Sequence, residues 1–224
     1  MKNINRRTSL AMLGLIPFGG GLLARASGQK FKPDKMSPRD RVKARYFPNV
    51  ELTTHEGKKV RFYDDLIKDK IVVINFMYAN CEDICPPVTM NLVKAQKILG
   101  ERVGRDIFFY SITLKPEQDT LKDLKHYAEM HGVKPGWLFL TGKPAEIEML
   151  RRSLGFVDPD PEVDKDTSNH IGNLRMGNEP YILWSACPGM SSPIWIVKSI
   201  LRLDRSEKQP RNESRNTTDM RGGK

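Results

Sequence analysis

Two cysteines follow a long apolar run, and this arrangement most restricts how the chain can fold. The apolar run covers residues 71–78, and the segment Cys81-Glu-Asp-Ile-Cys85-Pro86 comes soon after it. A continuous apolar run is typical of a strand buried on both faces, and proline favours the first turn of a helix. The sequence therefore predicts a strand-to-helix junction. Both thiols should lie on one helix face, pointing toward solvent near the positive end of the helix dipole.

Three kinds of chemistry remain open for Cys81 and Cys85. Their spacing suits a redox-active thiol pair, and it also suits two ligands of Cu(I), which prefers soft thiolates. A plain stabilising disulfide is the third alternative, although closing so short a loop adds little stability. Glu82 and Asp83 lie between the thiols, where negative charge opposes thiolate formation but attracts a cation. This favours a metal ion slightly over redox chemistry alone.

A copper site with two thiolates needs a third ligand, and the chain has four histidines. His170 is the favoured one, because it lies at a loop edge before a predicted strand, where binding residues tend to occur. We expect His55 to be exposed in a hairpin turn, and His126 and His131 to lie late on a helix. The residues alone favour His170 without establishing it as a ligand.

Strands and helices alternate along the chain after an opening hairpin at residues 50–62. Further strands are predicted at 71–78, 107–114, 137–140 and 171–176, and helices at about 86–99, 120–131, 144–155 and 192–203. This order predicts an α/β domain, a mixed sheet flanked by helices with an N-terminal β-hairpin. We expect residues 158–166 to form a solvated acidic loop and Cys187 to be a small buried hydrophobe, the alternative being a resolving thiol.

The ends of the chain carry its positive charge. The formal net charge is +10, but residues 1–46 alone account for +9 and residues 47–203 for −1. A neutral folded part argues against nucleic acid as a partner. The sequence predicts four segments: an export signal at 1–26, a basic linker at 27–46, a folded domain at 47–203 and a disordered polar tail at 204–224.

The predicted export signal has adjacent arginines ahead of an apolar stretch. Arg6-Arg7 precedes the apolar residues 10–23, and Ala24-Arg25-Ala26 offers a cleavage site between small residues. The paired arginines favour the twin-arginine route, with an ordinary secretory signal as the alternative. Either route predicts a location in the periplasm or cell envelope, where thiols tend to oxidise.

Several motifs in order resemble the Sco/SenC proteins, which are copper-binding assembly factors with a thioredoxin-like fold. The motifs are Lys58-Lys-Val-Arg-Phe-Tyr-Asp-Asp-Leu66, Cys81-x-x-x-Cys85-Pro86, Ser111-Ile-Thr-Leu-Lys-Pro-Glu-Gln-Asp-Thr120, Trp137-Leu-Phe-Leu-Thr-Gly142 and His170 before a strand. The resemblance covers about residues 47–203. It implies a thioredoxin-like domain in which Cys81, Cys85 and His170 bind copper as Cu(I) or Cu(II), with Cys81 and Cys85 also a redox-active pair that can form a disulfide.

The resemblance also implies a metallochaperone rather than an enzyme. Its partner would be the cytochrome c oxidase subunit that carries the dinuclear copper centre, with other copper carriers or thioredoxin-like reductants as further partners. One residue departs from the family pattern, because Lys115 stands where an acid is usual. Two alternatives stay open: a thiol-disulfide oxidoreductase or peroxidase-like enzyme of the envelope, and an adaptor that only contacts oxidase subunits.

Overall fold

Seven strands form one mixed sheet in the computed structural model, which describes residues 36–166 and 172–205. The strands are β1 Glu51–Thr54, β2 Lys59–Arg61, β3 Ile71–Met77, β4 Ile107–Thr113, β5 Trp137–Gly142, β6 Asn173–Asn178 and β7 Leu183–Pro188. Their order across the sheet is β2-β1-β5-β4-β3-β6-β7. Strands β3, β4 and β5 run parallel, and the neighbours on both sides join antiparallel.

Helices cover both faces of the sheet, as the sequence predicts. They are α1 Pro38–Tyr46, α2 Cys85–Leu99, α3 Leu121–Met130, α4 Pro144–Ser153, α5 Pro161–Asp164 and α6 Pro193–Leu201. Helices α2, α3 and α6 contribute to one apolar core, and α4 with a π-helical segment, Phe62–Ile67, contributes to the other. Among the residues that the structure describes, no helix is long and apolar enough to cross a bilayer.

Strand β3 supplies side chains to both cores. All seven of its residues are buried. Val73 and Met77 join the core beneath α2, whereas Val72 and Phe76 join the core on the other side. Alternation of side chains across a strand explains this division. The apolar run is therefore the central layer of the domain, and it fixes the start of α2.

Several local predictions are confirmed. The hairpin of β1 and β2 turns at residues 55–58, and α2 ends at Leu99 with Gly100 following it. Thr120 and Asp123 form the capping box that the sequence predicts, each side chain accepting the other's N–H at the start of α3. Elements with strong end signals were thus predictable within a few residues.

Helix α1 lies inside the segment predicted to be a linker. Ser37 caps it by accepting the Asp40 N–H at 3.1 Å, and Pro38 occupies its first turn. No residue of α1 is buried, so the helix has no apolar periodicity to detect in the sequence. An ion pair links it to the domain, because Arg39 contacts the buried Glu179 at 2.5 Å through two nitrogens.

Two acidic residues are less solvated than the sequence predicts. Asp164, in the predicted acidic loop, belongs to α5 and pairs with the buried Arg151 at 2.6 Å. Asp204, at the start of the predicted tail, pairs with Arg102 at 2.5 Å. In both cases an arginine distant in sequence provides the partner, so local composition gave no indication of the pair.

Candidate metal centre

Both thiols lie where β3 gives way to α2. The Cys81 N–H donates to the Tyr78 carbonyl oxygen at 3.3 Å, in the turn that follows β3. Helix α2 begins at Cys85, with Pro86 and Pro87 in its first turn. The first N–H groups of a helix have no acceptor within it, so prolines there lose no hydrogen bond. The prolines thus fix the second thiol at the helix start.

Cys81 and Cys85 contact each other. The Cys85 N–H donates to the Cys81 sulfur at 3.4 Å, and the Cys85 thiol is hydrogen bonded to the same sulfur. The prediction that they point toward solvent is wrong, because only 6% of Cys81 and 2% of Cys85 is exposed. The core beneath α2 includes both sulfurs, and Ile84 packs against it between them in sequence.

Hydrogen bonds make the two thiols chemically unequal. Burial raises the pKa of Cys81, but donation to its sulfur from Cys85, the Asp83 N–H and the Tyr78 hydroxyl outweighs burial, and the pKa is lowered. Burial, together with the bond to Cys81, raises the pKa of Cys85 far above its usual value. Cys81 is therefore the sulfur that loses its proton first. Asp83, expected to oppose a thiolate, contributes a favourable backbone donor.

Tyr78 is a site residue that the sequence reasoning missed. Its hydroxyl is hydrogen bonded to the Cys81 sulfur, and this hydrogen bond together with burial raises the pKa of Tyr78 to about 12. The Lys115 ammonium lies over the Tyr78 ring. Lys115 therefore contacts the residue that donates to the Cys81 sulfur. A polar-tipped side chain ending the apolar run was the available signal for Tyr78.

Asp119 ties the segment before Cys81 to the end of β4. It is buried, and its Oδ2 accepts the Ala79 N–H at 3.1 Å and the Thr113 hydroxyl at 2.5 Å. Its charge also contributes to the raised pKa of Cys85, after burial and the bond to Cys81. Asp119 thus holds the turn that carries Cys81 while it disfavours a second thiolate.

Two glycines allow the start of β6 to pack closely against α2. Gly172 has φ +58, and a Cβ there would lie 2.9 Å from the Ile84 side chain and 3.1 Å from Val88. The Gly189 N–H donates to the Gly172 carbonyl oxygen at 2.9 Å, and a Cβ on Gly189 would lie 2.4 Å from that oxygen. Only glycine fits at both positions, so the chain after residue 171 approaches the thiol segment closely.

Two of the other three histidines contact neighbouring protein groups. His55 is only half exposed, because its Nδ1 accepts the Phe139 N–H at 3.1 Å and extends the pairing of β1 with β5. His131 lies against the Tyr127 ring, with centroids 4.2 Å apart, and His126 is exposed on α3. The expectation of an exposed His55 is wrong, since the hairpin turn closes over the edge of β5.

The predicted third ligand, His170, lies outside the described residues. Within residues 36–166 and 172–205, no group of three or more His, Cys, Asp or Glu side chains could hold a metal ion. Cys187 is buried in the core beneath α2, as predicted, with its thiol 3.4 Å from the Pro188 carbonyl oxygen. The structure thus brings Cys81 and Cys85 together, and the ligand role of His170 stays a prediction.

A mixed sheet with a dithiol at the start of the helix after its central strand defines a thioredoxin-like dithiol protein. The chain belongs to the SCO1/SenC family, whose model matches residues 38–200. It is similar to the SCO1 protein homolog of Bacillus subtilis, with 35% identity over 96 residues, covering 42% of this chain and 48% of that protein. The chain spans less than two thirds of the length of the first curated relatives that it matches.

Solved structures share the fold. The chain is similar to Bradyrhizobium japonicum ScoI with copper bound, with a TM-score of 0.55, 24% identity, and 68% of this chain and 96% of that one covered. It is also similar to BsSco, a protein in which a disulfide switch was identified. BsSco is described as a member of the Sco family of cytochrome c oxidase assembly proteins. Here the TM-score is 0.56 with 25% identity, over 69% of this chain and 90% of that one.

Proposed function

We propose that this chain is a copper-binding metallochaperone that assists assembly of the dinuclear copper centre of cytochrome c oxidase. The observation that carries the proposal is the contact between Cys81 and Cys85, in which one sulfur accepts several hydrogen bonds and has a lowered pKa. Thiolates are the ligands that Cu(I) prefers. The copper-bound state of the Bradyrhizobium japonicum relative supports the same cargo for this chain.

Cys81, Cys85 and His170 are the proposed ligands. His170 precedes Gly172 by two residues, and Gly172 is packed against Ile84. Two residues of chain span at most about 7 Å, so a ligand at position 170 is within reach of the thiol segment. All three groups must lose protons to bind, and acid should therefore weaken copper binding.

The same pair can exchange electrons. In this step the Cys81 thiolate attacks a disulfide between the cysteines of the partner's dinuclear copper centre, and one partner sulfur leaves as a thiolate. The Cys85 thiol gives its proton to the departed partner thiolate, and the Cys85 sulfur then attacks the mixed disulfide at Cys81 and releases the second partner sulfur as a thiolate. Two electrons pass to the partner, and the chain keeps a Cys81–Cys85 disulfide that no longer offers thiolate ligands. Copper release would accompany this oxidation.

Anaerobic copper titration of the reduced protein tests the cargo. We expect one tightly held ion per chain, and loss of that binding in His170→Ala while the thiols still react with an alkylating agent. His126→Ala is the matched control, because His126 is exposed on α3. Unchanged copper affinity in His170→Ala would remove His170 from the ligand set. Rapid turnover of a disulfide or peroxide without copper binding would instead support an enzyme.

Replacement of the thiols tests the role in assembly. We expect Cys81→Ser with Cys85→Ser to abolish formation of the dinuclear copper centre in a host that depends on this chain. BsSco, which belongs to a family of cytochrome c oxidase assembly proteins, supports this partner. An adaptor that only contacts oxidase subunits predicts intact assembly in the double variant, measured by the optical spectrum of the purified oxidase.

We propose that the protein works in the periplasm or cell envelope. The predicted signal at residues 1–26 lies outside the described residues, and Arg6-Arg7 support the twin-arginine route. Arg6→Lys with Arg7→Lys should block export by that route and leave the protein in the cytoplasm, as seen by cell fractionation. Normal export of this variant would support an ordinary secretory signal.

A further inference from the structure

Helix α6 presents an unusual outer face. Its inner residues Ile196, Val197 and Ile200 are buried in the core beneath α2. The outward side would be polar in an ordinary surface helix. Here it carries large apolar side chains and cations: Ile194, 60% exposed, Trp195, 48%, Leu201, 41%, and the exposed Lys198 and Arg202. We call these five residues the α6 face.

The α6 face forms one continuous stripe. Ile194, Lys198 and Leu201 are spaced by four and then three residues, which places them on one side of the helix. Trp195 and Arg202 lie beside them seven residues apart, and the Arg202 guanidinium carbon is 5.2 Å from the Trp195 ring centroid. The apolar groups are thus bordered by cations rather than scattered among mixed charges.

Helix α2 extends the same surface. Asn91 of α2 donates to the Gly189 carbonyl oxygen just before α6, and Arg102 pairs with Asp204 just after it. The two helices therefore lie side by side and run in the same direction. The outward side of α2 adds the exposed Lys94 and Lys97, with Ile98 54% exposed.

Helices α2 and α6 carry only positive charge, although the exposed Glu101 follows α2 and Asp204, paired with Arg102, follows α6. Neither α2 nor α6 contains an aspartate or glutamate, so every charged side chain on the two helices is a lysine. The exposed methionines Met130 and Met149, in contrast, lie on α3 and α4, which carry charges of both signs. The combination of tryptophan, aliphatic residues and cations on one surface is typical of a helix that lies in the interface of an anionic bilayer.

We propose that the α6 face, with the adjoining side of α2, docks on an anionic phospholipid surface. The acyl boundary would receive Ile194, Trp195 and Leu201, and the lipid phosphates would contact Lys198 and Arg202. Because α2 starts at Cys85, docking would hold the thiols at one edge of the membrane-facing surface. This inference does not depend on the proposed copper chemistry.

Fluorescence quenching by brominated acyl chains tests the docking in the full-length chain. The three tryptophans differ in access, because Trp137 is 2% exposed, Trp184 is half-buried and Trp195 is 48% exposed. The predicted export signal contains no tryptophan, so its own insertion gives no signal. We expect brominated phosphatidylglycerol vesicles to quench the fluorescence, brominated phosphatidylcholine vesicles to quench little, and Trp195→Phe to remove the quenching.

Matched variants separate charge from apolar contact. Lys198→Gln with Arg202→Gln should require roughly 25-fold more lipid for half-maximal quenching, since each cation near an anionic surface contributes about five-fold. Lys122→Gln with Lys125→Gln on α3 should change nothing, because both lysines lie on another surface. Ile194→Gln should weaken quenching, whereas Met149→Gln on α4 should not.

Three results would overturn the proposal. The first is absence of quenching although the chain sediments with the vesicles. The second is equal quenching by both lipids, which would remove the role of charge. The third is a dimer that Ile194→Gln dissociates without any quenching in the wild type, which would assign the α6 face to a second copy of the chain.

Discussion

The ammonium nitrogen of Lys115 lies 3.9 Å from the centroid of the Tyr78 ring. The hydroxyl of that ring donates a hydrogen bond to the Cys81 sulfur. A cation near a thiol favours its ionised form, and so does a hydrogen-bond donor. Lys115 therefore lies against the tyrosine that donates to the Cys81 sulfur.

Replacing the Lys115 cation by an acid should slow the reaction of the Cys81 thiol with an alkylating agent. We expect Lys115→Asp to lower the alkylation rate of Cys81 at pH 7 by roughly five- to ten-fold, which corresponds to a pKa rise of about one unit. Tyr78→Phe should act in the same direction, because it removes a donor to the sulfur. Lys122→Asp on α3 is the control. An unchanged rate in Lys115→Asp would separate Lys115 from the thiol chemistry.

Asp119 should be important for stability because it satisfies two buried donors. Asp119→Leu leaves the Ala79 N–H and the Thr113 hydroxyl without their acceptor. We expect the free energy of unfolding to fall by about 2–4 kcal/mol, measured by urea denaturation. Glu117→Leu, an exposed position in the same loop, should change it little. Equal effects of the two variants would contradict the role of the buried acceptor.

Gly172 should tolerate alanine less well than a glycine of similar backbone conformation. Gly172→Ala combines a positive φ with a close approach to Ile84, whereas a Cβ on Gly132, at φ +68, would meet no heavy atom within 4 Å. We expect Gly132→Ala to cost about 1 kcal/mol and Gly172→Ala about 2–3 kcal/mol in thermal or urea unfolding.

The close approach can be tested by a second substitution. Ile84→Ala introduced together with Gly172→Ala should recover part of the lost stability, because it removes the atoms that the new Cβ meets. Strictly additive losses in the double variant would show that Ile84 is not the residue that excludes a side chain at position 172.

The ion pair between Arg39 and Glu179 should make α1 sensitive to acid. Burial raises the pKa of Glu179, but hydrogen bonds from Arg39, the Asp69 N–H and the Tyr63 hydroxyl outweigh it, and the pKa falls below the usual 4.5. A carboxylate with a lowered pKa stabilises the fold above pH 4.5, and that contribution is lost as the pH falls through the folded-state pKa.

Removal of the arginine tests this linkage. Arg39→Met should lower the free energy of unfolding by about 2 kcal/mol at pH 7, because it leaves a buried carboxylate without its cation. The difference from wild type should shrink as the pH approaches 3 and Glu179 takes up a proton. Arg41→Met, at an exposed position of α1, is the control. A deficit that stays constant from pH 7 to pH 3 would show that Glu179 does not cause it.

The sequence was most informative where local chemistry determines structure. The apolar run of β3, the prolines of α2 and the Thr120–Asp123 box act through neighbouring residues, so their patterns predict the elements directly. Helix α1 was missed because its attachments, such as Arg39 to Glu179 and Lys43 to the Tyr63 ring, join residues far apart in sequence.

In the candidate site, too, the sequence predicted the local features and missed those that depend on the fold. The spacing of Cys81 and Cys85 predicted that they would lie together, because it is a local property. Their burial depends on the core beneath α2, and the lowered pKa of Cys81 depends on hydrogen bonds from Cys85, Asp83 and Tyr78, so both require the fold. The spacing therefore identified Cys81 and Cys85 as a pair correctly, but the expectation that they face solvent was wrong.

The central position of β3 determines which parts of the sheet unfold locally. It is hydrogen bonded to β4 on one side and to β6 on the other, and all its residues are buried. Amides in such a strand exchange with solvent only when the whole domain unfolds, whereas edge strands such as β2 and β7 open in smaller fluctuations. Cys81 follows the most protected strand of the sheet, so fraying of the sheet edges leaves the thiol pair assembled.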